Sequence, residues 1–333
     1  MTDGAAYQSR FERTALGALA LSTALLYGAA LVFPTPRLLS PVPMSSHRSD
    51  RAALPLLSSS AVILPVSRLT PERLRAETLQ NIFDQVDYSL ESVAGGASQV
   101  PQLHLSAIPG DLRQIHDAGA RKDLFLRLML PLVLQVNDEL TSERRRLAAL
   151  HRQRGRGAPL SSDDDAWLSE RFSYYRVSFA DGIGYLLHII DIIPPSLALA
   201  QAAMESGWGT SRLARLRNVL FGQTTVGDDP QAIAIRGPGK RVVHYKTFAT
   251  PADAVRSYAR NLNSHPAYES FRRARAQMRT QGASLAGRGL VENLENYAEM
   301  AEYSRSLQRV IRSNDLGDLD EATLAVNEDV LRF

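Results

Sequence analysis

Cysteine is absent from the 333 residues. That removes disulfides, thiol nucleophiles and zinc–thiolate sites together, and it lets the chain work in an oxidising compartment without mispairing. Lysine is scarce, occurring only at Lys122, Lys240 and Lys246, so the net charge of +3 is carried almost wholly by arginine. The excess is mild and scattered. It suits an anionic partner such as phospholipid or a cell-wall polymer, and it excludes nucleic acid as a partner because no basic stripe is present. Internal repeats are also lacking. What remains is 44% hydrophobic and 22% charged, enough apolar material for one or two folded domains.

One long run has no charge at all. Ala15–Phe33 extends for nineteen residues and is closed by Pro34 and Pro36. As a helix it reaches roughly 28 Å at about 1.5 Å per residue, close to the thickness of a bilayer core. Arg10 and Arg13 precede it, which predicts a cytoplasmic tail at 1–14, a membrane anchor at 15–33 and export of the rest. A cleaved signal peptide is the competing reading. The apolar run is long for one, and no sharp Ala-x-Ala site follows Phe33. The expected location is therefore the inner membrane, crossed once, with the bulk of the chain in the periplasm. Residues 34–67, rich in Pro and Ser, read as a linker.

Helical patterns dominate from there. Thr70-Pro71-Glu72 suits a helix start, with Leu74, Leu79, Phe83 and Val86 as its apolar stripe. A longer helix lies within Asp117–Leu150, and Pro131 predicts a kink or a break in it. Ser162 or Asp163 is expected to cap the next helix. Asp163, Asp164 and Asp165 resemble a calcium loop superficially, but three acids in a row favour a helix N-terminus and no metal is expected. His188, in the apolar run Gly182–Ile193, reads as a packed or hydrogen-bonded side chain. Ala232–Ile235 and Val242–Tyr245, separated by Gly237-Pro238-Gly239, read as a β-hairpin or two short strands. Thr250-Pro251-Ala252-Asp253 opens a further helix. Asn314–Phe333 is acidic and is expected to be a loosely packed tail. The resulting divisions are a helical region at 68–180, a second domain at 181–312 and the tail at 313–333.

The stretch with most chemical content is Pro194–Gly222. Pro194-Pro195 suits a helix start, and Ser196–Met204 is uncharged and rich in helix formers. Glu205 is the first charge in that run, and Ser206-Gly207-Trp208-Gly209 breaks the helix directly after it. Apolar surroundings and a helix C-terminus both disfavour an ionised carboxylate, so the pKa of Glu205 should rise. A carboxylic acid still protonated near neutral pH is what a glycosidase general acid requires. The alternative is an ordinary solvent-facing residue at a helix end.

These residues also carry a likeness. Ala200-Gln201-Ala202-Ala203-Met204-Glu205-Ser206-Gly207-Trp208-Gly209, with Asn218 and Leu220-Phe221-Gly222 downstream, resembles the signature of the glucosaminidase domains of glycoside hydrolase family 73, the FlgJ type. Tyr258, Asn261-Leu262-Asn263-Ser264-His265-Pro266-Ala267-Tyr268 and Phe271-Arg272 resemble the Bax branch of that family, as does Leu130–Asn137. The likeness covers about 115–312. The order of elements gives an α+β, mainly α fold with a small β-lobe facing an α-lobe across a cleft, the transmembrane helix ahead of it. The likeness implies that the α-lobe is lysozyme-like and that 181–312 is a glucosaminidase-like catalytic domain. It also implies hydrolysis of the GlcNAc-β-1,4-MurNAc bond of peptidoglycan, without a cofactor. Glu205 matches the general acid of the family. Tyr297 matches a tyrosine beside the acid, and Trp208, Asn218, Phe221 and Tyr303 fall at substrate-binding or framework positions.

The chain departs from the family at one point. Many members carry a second Glu in the β-lobe, and residues 223–248 contain none. Glycosidases normally use two carboxylates. Asp228 and Asp229 are the candidates here, although Gly227-Asp228-Asp229-Pro230 also reads as turn chemistry. The other options are the substrate's own acetamido group, helped by Tyr297, or a low rate. Two rival functions follow from the same residues. One is a lytic transglycosylase using Glu205 alone. The other is a membrane-tethered peptidoglycan-binding protein with weak activity.

Overall fold

The helix that carries Glu205 in its last turn is covered on nearly every side, and the other elements supply that cover. The computed structural model describes residues 75–225, 229–236, 242–297, 301–326 and 330–332, the side chains of 295–297 and 301 excepted. The expected anchor at 15–33, the linker at 34–67 and Asp228 lie outside the described residues. Among the described residues no helix is long and apolar enough to cross a membrane.

In chain order the elements are α1 (Ala76–Gln85), α2 (Leu90–Ala94), β1 (Leu103–His104), α3 (Ala118–Gly155), α4 (Ser162–Tyr175), α5 (Gly182–Ile189), α6 (Pro195–Ser206) and α7 (Arg212–Arg217). Three strands follow, β2 (Thr224–Thr225), β3 (Ile233–Arg236) and β4 (Val242–Tyr245). The remainder is α8 (Pro251–Ser264), α9 (Glu269–Thr280), α10 (Gly287–Leu290), α11 (Ala301–Ser313) and β5 (Leu331–Arg332). The fold is therefore α+β and mainly helical, with two small sheets among the described residues. In one sheet β4 lies between β2 and β3, both antiparallel to it, with Ile233 opposite Tyr245. The expected hairpin is present, with β2 as a third strand. In the other sheet β1 pairs in parallel with β5, Leu103 opposite Leu331.

Pro131 was expected to kink or break its helix, and it does not break it: α3 runs 38 residues in all with Pro131 inside. Proline cannot bond the carbonyl four residues back, which here belongs to Arg127. That carbonyl is not left bare, because the buried Tyr88 hydroxyl donates to it at 3.2 Å. Arg127 answers with NH1 on the Tyr88 carbonyl at 3.1 Å. The segment after α1 thus supplies the bond that proline removes. The next helix is capped one residue earlier than expected, by Ser161, whose hydroxyl accepts from the Asp164 amide at 3.1 Å.

The entry into α6 is fixed by side chains from three helices. Asn137 of α3 exchanges two bonds with the Ile193 backbone, at 2.8 and 3.0 Å. Asn263 of α8 donates to the Asp191 carbonyl at 3.0 Å. Arg275 of α9 donates to the carbonyls of Ile189, Asp191 and Ile192, while Arg279 grips the Asp191 carboxylate at 2.8 and 3.1 Å. Burial raises and these guanidiniums lower the pKa of that carboxylate, and the balance leaves it below the usual value.

The acidic C-terminal segment is the largest correction to the sequence reading. It is not loosely packed. Leu316 and Leu319 are buried in the main core. Asp320 accepts from the Ser196 amide and hydroxyl, both at 2.8 Å, and from the Gly287 amide at 2.9 Å. Its carboxylate thereby satisfies one of the free amides at the start of α6. Beyond it, Val100 pairs with Leu324, and β5 completes the small parallel sheet.

Candidate active site

α6 has no solvent face: Pro195–Ala203, Glu205 and Ser206 are all buried. α3, α10, α11 and the 3-10 turn Leu316–Leu319 pack around it. That arrangement explains why the sequence of α6 is apolar all round rather than amphipathic. The helix ends because Gly207, Trp208 and Gly209 take left-handed φ values of 59°, 57° and 72° in succession. Ser206 locks this turn, donating to the Ala202 carbonyl at 2.6 Å and accepting from the Gly209 amide at 2.8 Å. A side chain at 209 would meet Phe125 and Leu112 at 2.8 and 2.9 Å, so this position admits only glycine.

Glu205 is 4% exposed. Burial pushes its carboxyl up to about 8, opposed by one hydrogen bond from Tyr303. The Tyr303 hydroxyl lies 3.4 Å from Oε1. That hydroxyl in turn accepts from Gln201 Nε2 at 3.0 Å, and Gln201 Oε1 accepts from Tyr258. Gln201 stands four residues before Glu205, hence on the same helix face. The result is a file of three donors, Tyr258, Gln201 and Tyr303, each pointing to the next and the last pointing to the acid. On the other side the backbone comes close. Gly222 has φ 61°, and a Cβ there would lie 2.8 Å from Oε2.

The other sequence candidates are distributed as follows. Tyr303, expected as a substrate contact, lies on the acid itself. Trp208 is half-buried, set edge-on to Phe125 at 6.1 Å with the Lys122 ammonium 4.9 Å from its ring. Phe221, expected at a substrate-binding or framework position, is 1% exposed and stacked on Tyr258 at 4.0 Å, which makes it framework. It supports the file of donors from within the core. Asn218 is also buried, and its amide donates to the carbonyls of Phe248 and Ala249 at 3.2 Å, tying the chain entering the sheet to the chain leaving it. Tyr297 ends the 3-10 helix Val291–Tyr297, and its side chain is outside the described set. Asp229 sits in a turn, its carboxylate accepting from the Gln231 amide at 3.0 Å.

Gln201, Tyr258 and Gly222 were not singled out as site residues from sequence. The spacing of Gln201 and Glu205 was the available signal. The aspartates at 163–165 begin α4, where Asp164 pairs with Arg146 at 2.9 Å. His188 Nε2 stands 3.7 Å from Glu269. Among the described residues no group of three or more His, Asp or Glu is placed to hold a metal ion.

Known proteins resemble this chain over the same elements. Residues 187–316 match the glucosaminidase family, described as mannosyl-glycoprotein endo-beta-N-acetylglucosaminidase. The chain is 35% identical over 198 residues to Protein bax of Escherichia coli (strain K12), spanning 58% of this chain and 69% of that protein. The chain belongs to the glucosaminidase family. It is accordingly a glycoside hydrolase. Peptidoglycan hydrolase FlgJ of Vibrio parahaemolyticus is 29% identical over 89 residues, covering 23% of this chain and 29% of that one. The solved glycoside hydrolase domain of Salmonella typhimurium FlgJ is 22% identical, covers 47% of this chain and 89% of that chain, and superposes with a TM-score of 0.29. The glucosaminidase match begins within α5 and ends at Leu316, so it takes in Glu205 and all three residues of the donor file. α3 and Asp320, which brace α6 from outside the match, are supplied by the rest of the chain.

Proposed function

We propose that this glucosaminidase hydrolyses peptidoglycan at the β-1,4 bond between N-acetylglucosamine and N-acetylmuramic acid, with Glu205 as general acid. The observation that carries the proposal is a single buried carboxyl, raised to about 8, at the end of a helix that has no other charge. At neutral pH such a group holds a proton to give to the glycosidic oxygen, a contribution worth about 10²- to 10⁴-fold in rate. The named activity of the FlgJ relative supports peptidoglycan as the substrate, and the arginine excess suits an anionic polymer. Residues 15–33 would hold the enzyme in the inner membrane, with the catalytic domain beside its substrate in the periplasm.

Asp229 is engaged in its own turn, so the acetamido oxygen of the substrate is the better nucleophile in this scheme. Glu205 protonates the glycosidic oxygen as the bond to the anomeric carbon breaks, and the acetamido oxygen closes on that carbon. The Glu205 carboxylate then takes a proton from the water that reopens the ring. This assigns acid and base to one residue, an accepted exception to the two-carboxylate rule. Mass spectrometry of peptidoglycan digested by the purified chain tests the scheme. Reducing N-acetylglucosamine ends are expected. Anhydro-muramic ends would instead identify a lytic transglycosylase, and intact strands would leave a binding protein.

A further inference from the structure

A pocket of about 450 Å³ opens between α3, α4 and α8, away from the residues around Glu205. Its wall is a ladder of alternating cations and aromatic rings. Arg146 lies 4.3 Å from the centre of the Trp167 ring, Arg171 lies 5.9 Å from Trp167 and 5.1 Å from Tyr174, and Arg260 lies 4.4 Å from Tyr174. Stacking of this kind leaves the edge of each guanidinium free to fork a carboxylate.

Most of these cations are already answered. Arg146 pairs with Asp164 at 2.9 Å, Arg171 with Glu170 at 2.6 Å and with Glu143 of the pocket lining at 3.6 Å, and Arg256 with Glu139 at 2.8 Å. Arg260 has no carboxylate within 4 Å among the described residues. It stands near other cations: burial first, and then the nearby Arg260 and Arg176, push the Lys246 ammonium below the usual lysine value, against a smaller opposing effect of Asp229. Inside the pocket the Arg171 Nε is buried and bonds nothing. The lining thus sets four arginines, Arg146, Arg171, Arg256 and Arg260, against two carboxylates, Glu139 and Glu143, and adds an unmet donor and two aromatic rings.

We propose that this pocket is a carboxylate-binding subsite for the acidic stem peptides that hang from the glycan, a proposal that rests on the peptidoglycan reading above. The stems carry the free carboxylates of that polymer, and their short aliphatic side chains suit Trp167 and Tyr174. The sheet and α8 connect the subsite to the acid. Lys246 directly follows β4, and on α8 Tyr258 begins the donor file two residues before Arg260 enters the pocket.

The test compares intact strands with strands stripped of their peptides, using the full chain and an Arg260→Met variant that keeps the stacking volume without the charge. A charge-assisted pair is worth enough that the ratio of kcat/KM for intact over stripped strands should fall about tenfold in the variant. An unchanged ratio would overturn the subsite. In parallel, the free tripeptide Ala-γ-Glu-diaminopimelate is titrated calorimetrically at low salt. The wild-type chain should bind it, and Arg260→Met should bind it at least about fivefold more weakly, with thermal melting as the check on folding. Equal binding, or none by the wild type, would overturn the subsite. This arm needs no turnover. Tripeptide binding without cleavage of either strand would therefore uphold the subsite while refuting the hydrolase reading.

Discussion

The Tyr303 hydroxyl stands 3.4 Å from Glu205 Oε1 and is itself held by Gln201 at 3.0 Å. Its bond favours the charged carboxylate, so it lowers a pKa that burial raises. Tyr303→Phe should therefore move the alkaline limb of the kcat profile upward. It should also leave Gln201 Nε2 without its acceptor and free the carboxyl to turn, lowering kcat about tenfold or more, in line with a lost orienting bond. A pH profile of kcat checks both effects. A limb that moves down would contradict the direction of the bond.

Glu205 also sets a dependence of stability on pH. Its folded pKa, about 8, lies above the ordinary value of 4.5. The stability of the folded state with this residue is then fully present below pH 4.5 and is lost as pH rises through 8. Glu205→Gln removes the titration. The variant should melt close to wild type at pH 4.5 and above it at pH 8, with the gap growing across that window to a few kcal/mol and then levelling. Melting curves at four or five pH values measure it.

Gly222 approaches the acid from the opposite side. Alanine there must adopt φ near 61° and place a methyl 2.8 Å from Oε2. The backbone strain alone costs about 1–2 kcal/mol, and the methyl displaces the carboxyl from its place. Gly222→Ala should lower both Tm and kcat, whereas the exposed Gly110, which has open space around its Cα, should accept alanine with neither effect.

Asp320 holds the other end of α6. Asp320→Ala leaves the Ser196 amide, the Ser196 hydroxyl and the Gly287 amide without their acceptor. A loss of about 2–4 kcal/mol is expected, since each buried donor left unpaired costs roughly 1–3 kcal/mol less what water recovers. Denaturant unfolding of the variant measures it, and truncation after Ser313 should cost more, because Leu316 and Leu319 leave the core as well.

These residues also mark where the sequence was legible. The helix ending in Glu205, its proline start, its glycine stop and the capped start at Thr250 all depend on short-range chemistry, so local patterns revealed them. The long-range bonds were not legible. Pro131 read as a kink or a break, and nothing local shows that its Arg127 carbonyl is satisfied by the Tyr88 hydroxyl, 39 residues from Arg127. The tail read as loose because acids are spread through it with no regular apolar period, and nothing local shows that Asp320 reaches Ser196, 124 residues away. For Phe221 and Asn218 the sequence left substrate contact and framework both open, since an aromatic ring or an amide beside an acid can serve either a wall or a core, and the structure buries both. The Asn261–Arg272 stretch proved to be largely framework: Asn263 clamps Asp191, and Arg272 bonds the carbonyls of Leu262 and His265.

The central claim is that Glu205 donates the proton. Purified wild-type chain and Glu205→Gln, matched for folding by thermal melting, are compared on peptidoglycan by counting reducing ends released per minute. The glutamine keeps the size and the bond from Tyr303 but has no proton to give. Activity should fall by at least about 10²-fold. Release at the wild-type rate would contradict the account and move the catalytic acid elsewhere in the chain.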